Sequence, residues 1–331
     1  MKHLLYSLLA LSLCTSCSGQ TARADGSAQR DAADSLADSQ ADPMDSGSLD
    51  TDTLALSRQG IAEPDASDIL SASHYTAADS ARIEQLLRMD TGSGSDVLFY
   101  ARQFKGVPYV ASTLEVCDPE RLVVNLRGLD CTTLVETALA LAMTRREGHT
   151  DFAHYCLSLA RLRYWHGVPE SYLARLHYFT WWMHSNTAKG LISEVRDDRH
   201  FTAPIRVDDH YMSRHADKYR LLREHPEWVD SIRALERRYN GPDGTYLPEQ
   251  SVGLPRRELA CIHDGDLIAI VTRKDGLDYS HLGLAVWGRD GLLHLLNASS
   301  IHHKVVEEPK TLRQYLREHP SSIGIRVFRL R

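Results

Sequence analysis

Apolar residues recur at helical spacing through the middle of the chain and change to strand-like runs after Pro255. The spacing predicts helices over 77–89 and 95–104, punctuated by Gly92 and Gly94. A loop or short extended segment follows over 104–115, and an apolar stretch over 122–126 precedes a helix that opens at Cys131. The stretch 151–240 reads as mostly helical. Tyr155, Leu159 and Leu162 mark one helix over 151–165, and Leu173, Leu176 and Phe179 mark another over 169–183. A highly charged run over 214–239 is broken into two helices at Pro226. Strands are predicted over 265–272, 280–287, 292–297, 304–307 and 323–330, with a helix over 309–318 and a hairpin turn at Gly288-Arg289-Asp290-Gly291. There are no internal repeats. Helices followed by an antiparallel sheet make an α+β plan.

The first 80 residues have another character. Met1-Lys2-His3 leads into an almost wholly apolar run over 4–13, and Cys14-Thr15-Ser16-Cys17 follows. A charged start, a short apolar core and small residues make a secretory signal, too short to span a membrane. A cysteine at the end of that core resembles the bacterial lipoprotein signal, with 1–17 as the signal peptide and Cys17 as the lipid-bearing residue. The position three before Cys17 is Cys14 and not the usual Leu. Residues 18–80 are rich in Asp, Ser and Ala and nearly free of aromatics, a composition unable to bury enough apolar surface to offset chain entropy. They read as a disordered acidic tether ahead of a domain over 81–331.

That tether contributes most of the formal net charge of −6. The remaining domain is nearly neutral, so charge gives no reason to expect nucleic acid. No later segment approaches the ~20 apolar residues of a membrane span, so lipid would be the only anchor. The chain is then expected on the periplasmic or outer surface of a bacterium, as a monomer. Cys117, Cys131, Cys156 and Cys261 lie in the body of the chain without CxxC spacing, and we expect free thiols, although an exported protein can form disulfides.

Cys131 stands where the unpaired N–H groups and positive end of a helix favour a thiolate. A small buried core cysteine is the commoner fate of such a residue, so a catalytic role needs a base and an orienting group. His281 is the best placed of 17 histidines, because it begins a strand directly after a turn. A hairpin loop of Gly288 to Asp290 sets Trp287 against Gly291, Ala285 against Leu293 and His281 against Asn297. A two-residue loop instead puts Asn297 on the opposite face and leaves His294 as the orienting group. Glu136 reads as a solvated or capping carboxylate. The cluster Tyr178, Trp181 and Trp182 is either a core stripe or a platform for sugar rings. No HExxH or other compact metal-ligand spacing is present, so we expect neither metal nor cofactor.

These residues carry a resemblance. Cys131 in Leu-Asp-Cys-Thr-Thr-Leu-Val-Glu, His281 in Ser-His-Leu-Gly-Leu-Ala and Asn297 in Leu-Leu-Asn-Ala-Ser-Ser resemble the signature blocks of the NlpC-type, papain-like cell-wall cysteine amidases. Gly106-Val107-Pro108-Tyr109-Val110 is similar to the family's Pro-Tyr block. The match covers about 95–331. Ordinary members have a short interval between Cys and His, whereas here it holds a helical insertion at about 148–250. Most members also have a histidine where this chain has Asn297. Val124 to Cys131, Thr113-Leu114-Glu115 and Gly276 to His281 resemble the branch first catalogued as a domain of unknown function and linked to N-acetylmuramoyl-L-alanine amidase activity.

The resemblance implies a papain-like core, with a nucleophile helix packed on an antiparallel sheet. It implies a Cys131–His281–Asn297 thioester mechanism that frees stem peptide from muropeptides, including those ending in 1,6-anhydro-N-acetylmuramic acid. Tyr109, Glu115, Ser280, Trp181 and Trp182 are the implied substrate contacts. Two other readings stay open: an endopeptidase cutting the D-Glu–diamino-acid bond of the stem, and a lipid-anchored protein that binds peptidoglycan fragments without cutting them.

Overall fold

The computed structural model describes residues 64–331. The export signal, Cys17 and most of the acidic tether lie outside the described residues. Where the tether was expected to continue to residue 80, the chain is already folded from Asp65. That residue caps helix α1 (Ala66–Ser71), its carboxylate accepting from the Ser67 N–H at 2.9 Å. Ile69 carries the segment into the core, one apolar anchor that composition averaged over sixty residues conceals. Strand β1 (Ser73–His74) then pairs in parallel with β2 (Leu122–Val123).

Helices α2 (Ala77–Leu87) and α3 (Asp96–Arg102) fall where the apolar spacing places them. Helix α4 (Cys131–Arg146) is buried along nearly all its length, and α5 (Phe152–Arg163) returns against it. The expected helix over 169–183 is corrected to α6 (Phe179–Ala188). Ahead of it the backbone folds back on itself, with Trp165 N–H on Ala174 C=O and Leu176 N–H on Arg163 C=O, both at 2.9 Å.

The region read as mostly helical also holds β3 (Ile192–Val195), β4 (Ala203–Val207), α7 (Arg220–Glu224), α8 (Val229–Tyr239) and β5 (Gly241–Pro248). In β4 the period is two, with Ile205 and Val207 inward and Arg206 outward. Strands β6 (Leu267–Thr272), β7 (Tyr279–Trp287), β8 (Leu293–Ser299) and β9 (Lys304–Glu307), helix α9 (Leu312–Glu318) and strand β10 (Ser322–Leu330) complete the chain.

One eight-stranded sheet runs β4-β5-β10-β6-β7-β8-β9, and β3 shares the β5 side of β10 farther along the strand. The 148–250 segment, expected as a mostly helical insertion, is therefore woven into the sheet edge through β3 and β5. Both faces of the sheet are covered. Leu267, Ala269 and Val271 of β6 join a core with Leu134, Ala138 and Leu139 of α4, whereas Ile268 and Ile270 join a second core with Leu312 and Leu316 of α9. Burial on both faces is why β6 has no exposed position and is apolar up to Thr272. The result is a mixed α/β molecule with the Cys131 helix packed on an antiparallel sheet.

Candidate active site

Asp130 fixes the start of α4. Its carboxylate accepts from the Thr133 N–H at 2.8 Å while its own N–H donates to Thr133 Oγ1 at 2.9 Å, a reciprocal cap worth about 1 kcal/mol. Cys131 is thereby held as the first helical residue, with 1% of its surface exposed. Its sulfur lies against the N–H of Leu282 and the hydroxyl and N–H of Thr132. Those donors favour a thiolate, yet burial and the neighbouring Asp130 outweigh them and push the thiol up to about 12. The activation expected from the helix terminus is thus overridden by loss of water.

His281 enters the site through a bulge. Ile270 pairs with His281 and Val271 with Tyr279, so Ser280 is the extra residue between them. The turn before it is pinned by Gly276, whose carbonyl accepts the N–H groups of His210 and Tyr211. Gly276 has φ +74°, and a Cβ there would meet the His210 ring at 2.9 Å, so the turn tolerates only glycine. The imidazole is buried, which lowers its pKa below the ordinary histidine value against the raising effect of Asn297 and Glu308. Its ring centroid lies 6.2 Å from that of Tyr315 on α9.

Asn297 is the group that meets it, with Oδ1 at 2.9 Å from His281 Nε2. The register differs from the expected one. Trp287 pairs with Leu293 and Ala285 with Leu295, two residues beyond the predicted partners. The loop is Arg289-Asp290-Gly291, closed by Gly288 N–H on Leu292 C=O, and Gly291 takes φ +75°. A three-residue hairpin needs its left-handed residue third, so the glycine selects this loop over one that leaves it in the strand. A shift of two keeps Asn297 on the His281 face, as a diagonal neighbour. His294, the alternative orienting group, instead faces the Glu308 carbonyl and Asp290.

Pro108-Tyr109-Val110 is stitched to the segment just ahead of Cys131. Tyr109 N–H donates to His303 C=O at 3.0 Å, Val110 N–H to Leu129 C=O at 3.1 Å and Leu129 N–H to Pro108 C=O at 3.0 Å. Tyr109 is half-buried and bridges to Leu129, and Glu115 lies farther along this loop, its carboxylate accepting from Tyr172 OH at 3.3 Å. Ser280 is half-buried at the bulge.

Trp181 and Trp182 do not belong to a sugar platform. Both are buried, and Trp182 Nε1–H donates to Glu136 at 3.2 Å. Glu136 is likewise corrected from a solvated carboxylate to a buried one, paired with Arg163 Nε at 2.8 Å. Sequence reasoning missed Glu308 and His302, which continue the polar chain beyond Asn297, because an acid ahead of Pro309 looks like an ordinary loop residue. It also missed Thr132 at the sulfur and Tyr315 and His319 near the imidazole. Cys117, Cys156 and Cys261 are free thiols.

Among the described residues one His/Asp/His cluster stands elsewhere, at His149, Asp151 and His154. The two imidazoles are stacked 3.5 Å apart and 8° from parallel. A metal ion lies in the plane of each imidazole it binds, so stacked rings do not share one. Among the described residues no hydrogen bond joins the Cys131 sulfur to the His281 ring; the two meet at the Leu282 peptide.

Residues 100–325 match the family model described as N-acetylmuramoyl-L-alanine amidase-like, an interval containing Cys131, His281 and Asn297. The chain belongs to that family. A crystal structure of an N-acetylmuramoyl-L-alanine amidase from Bacteroides uniformis is 36% identical, covering 71% of this chain and 97% of that one, with a TM-score of 0.66. A protein from Bacteroides fragilis named as a xylanase is 37% identical, covering 70% of this chain and 100% of that one, with a TM-score of 0.65. A Legionella pneumophila protein at 22% identity shares the fold, with a TM-score of 0.57 over 77% of this chain and 93% of that one. No curated protein matches the chain. Membership of this amidase-like family supports amide hydrolysis on peptidoglycan as the coarse function.

Proposed function

We propose that this protein is a cysteine-dependent N-acetylmuramoyl-L-alanine amidase that frees stem peptide from muropeptides, with Cys131 as nucleophile, His281 as base and Asn297 as orienting group. The observation that carries the reading is the 2.9 Å pairing of His281 Nε2 with Asn297 Oδ1, one residue from the Leu282 N–H that holds the Cys131 sulfur. With Nε2 occupied, Nδ1 is the nitrogen available to take the thiol proton.

The thiol starts protonated and the imidazole neutral, so proton transfer to His281 accompanies attack. Sulfur bonds to the lactyl carbonyl carbon of N-acetylmuramic acid, and the Cys131 N–H at the helix terminus faces the developing oxyanion. The carbon–nitrogen bond to L-Ala breaks as His281 returns the proton to the leaving amine. Water, deprotonated by the same imidazole, then hydrolyses the thioester. Tyr109, Glu115 and Ser280 are the proposed contacts to sugar and peptide. The core is read as papain-like, and the segment over 148–250 as an insertion between nucleophile and base that supports the Glu115 loop. The apolar amino terminus and Cys17 make it an exported lipoprotein, anchored by lipid and facing cell-wall fragments.

Mass spectrometry of the products from one purified 1,6-anhydro-muropeptide tests the reading. Free disaccharide and intact stem peptide are expected. A truncated stem still bearing its sugars would replace the amidase with a D-Glu–diamino-acid endopeptidase, and sugars released from xylan would favour the name carried by the Bacteroides fragilis relative.

A further inference from the structure

Asn297 is gripped at both ends of its carboxamide. Its oxygen faces His281 Nε2 at 2.9 Å, and its Nδ2 donates to Glu308 Oε1 at 3.1 Å. The other carboxylate oxygen, Oε2, accepts from His302 Nε2 at 3.1 Å. Asn297 and Glu308 are buried, whereas the His302 side chain is 40% exposed and closes the chain at the surface. The backbone of Glu308 is also fixed, because its N–H donates to Leu295 C=O on β8 at 2.8 Å.

An ionised carboxylate accepts hydrogen bonds and cannot donate them, so it decides which end of a neighbouring amide turns towards it. The NH₂ end of Asn297 must face Glu308, which leaves the oxygen for the imidazole. An oxygen at Nε2 requires the proton on Nε2 and leaves the lone pair on Nδ1. With an apolar residue at 308, nothing would oppose a flip of the Asn297 amide, and the flipped NH₂ would favour the opposite tautomer.

We propose that Glu308 is a positioning residue: through Asn297 it selects the His281 tautomer whose Nδ1 accepts the Cys131 proton, while His302 holds the carboxylate in place. The inference deepens the cysteine amidase reading and rests on it for the identity of the base. His319 just beyond α9, Tyr315 on α9 and Lys274 in the segment between β6 and β7 also bear on His281.

The test uses the full-length chain with ¹⁵N-labelled histidine, the His281 signals being assigned by their loss in His281→Gln. The wild-type protein is expected to show the proton on Nε2. Glu308→Leu is expected to lose that signature and to lower kcat on muropeptide about 10- to 100-fold, the range of one charge-assisted hydrogen bond. KM is expected to stay within about threefold, since no substrate contact is removed. Glu308→Gln, which can present its oxygen to Asn297 and its amide to His302, is expected to restore the tautomer and most of kcat. Should the leucine variant fail to fold, Glu308→Asp carries the same test, because it keeps the charge and withdraws the acceptor by one methylene. A wild-type tautomer and unchanged kcat in a folded Leu or Asp variant would overturn the proposal. The tautomer is read without substrate, so an Nε2–H that depends on Glu308 in a protein that leaves muropeptide uncut would keep the positioning role and reject the amidase reading.

Discussion

The His281 imidazole meets the Asn297 carboxamide oxygen at 2.9 Å from a diagonal position on the hairpin, not from directly across it. The imidazole therefore faces a neutral amide, while burial lowers its pKa. Asn297→Asp places a negative charge against the ring, favours imidazolium and raises the pKa of His281. The acid limb of kcat/KM is then expected to move to higher pH than in the wild type, which a rate profile from pH 4 to 9 would reveal. An unmoved limb would mean that Asn297 does not face the working base.

Burial holds both partners neutral at rest, with the thiol near 12 and the imidazole below its ordinary value. Protonation of His281 removes the acceptor, so activity should fall as pH drops through that lowered value. Above it both reactants stay in their working forms, and kcat/KM should hold a plateau through pH 8 to 10. A thiolate–imidazolium pair would instead lose activity in that range as the imidazolium loses its proton. An alkaline limb near pH 8 to 9 would contradict the neutral pair.

Behind α4, the ion pair of Glu136 and Arg163 is buried, and Arg163 also donates to Val123 C=O at 2.7 Å. Arg163→Met leaves a buried carboxylate without its partner and should cost roughly 3–5 kcal/mol in urea unfolding. The double variant Glu136→Leu/Arg163→Met should recover most of that loss. Trp181→Ala should likewise cost roughly 3–5 kcal/mol, the price of emptying a core site. Equal loss in the single and double charge variants would show that the pair is not the stabilising unit.

Asp209 is buried against Asp278, and burial together with the adjacent Asp278 carboxylate raises its pKa well above normal. The unfolded carboxyl ionises near its ordinary value of about 3.9, so above that pH the native state keeps a proton that the unfolded state has lost. Stability from this site is therefore full below the unfolded pKa and declines as pH rises towards the folded one. Asp209→Asn keeps the shape without the charge, so it should raise Tm at pH 7 to 8, with the gain vanishing below about pH 4. A gain independent of pH would remove ionisation as its cause.

Strands β6 and β7 were legible because each carries an apolar run bounded by Gly or Asp, and the Cys131 helix because a capping pattern precedes its apolar face. The hairpin register was missed by two residues, since the Gly-Arg-Asp-Gly turn permits two odd-length loops and only the left-handed backbone at Gly291 decides between them. Strand β4 was readable in the alternation of Ile205, Arg206 and Val207, but the helical residues around it masked three strand-length pieces. Trp181 resembled a binding aromatic because its spacing suits a surface as well as a core; its packing against Trp165 and Tyr239 is a tertiary fact. Glu308 gave no signal, because its role depends on a fold that brings it against Asn297.

In the proposed reaction Cys131 forms the covalent bond to the lactyl carbonyl carbon of the muropeptide. Cys131→Ala, checked for native folding and assayed with the same purified 1,6-anhydro-muropeptide, should lose at least about 1,000-fold in kcat, since the nucleophile of such a triad carries most of the rate. Release of stem peptide within tenfold of the wild-type rate would rule out Cys131 as the nucleophile.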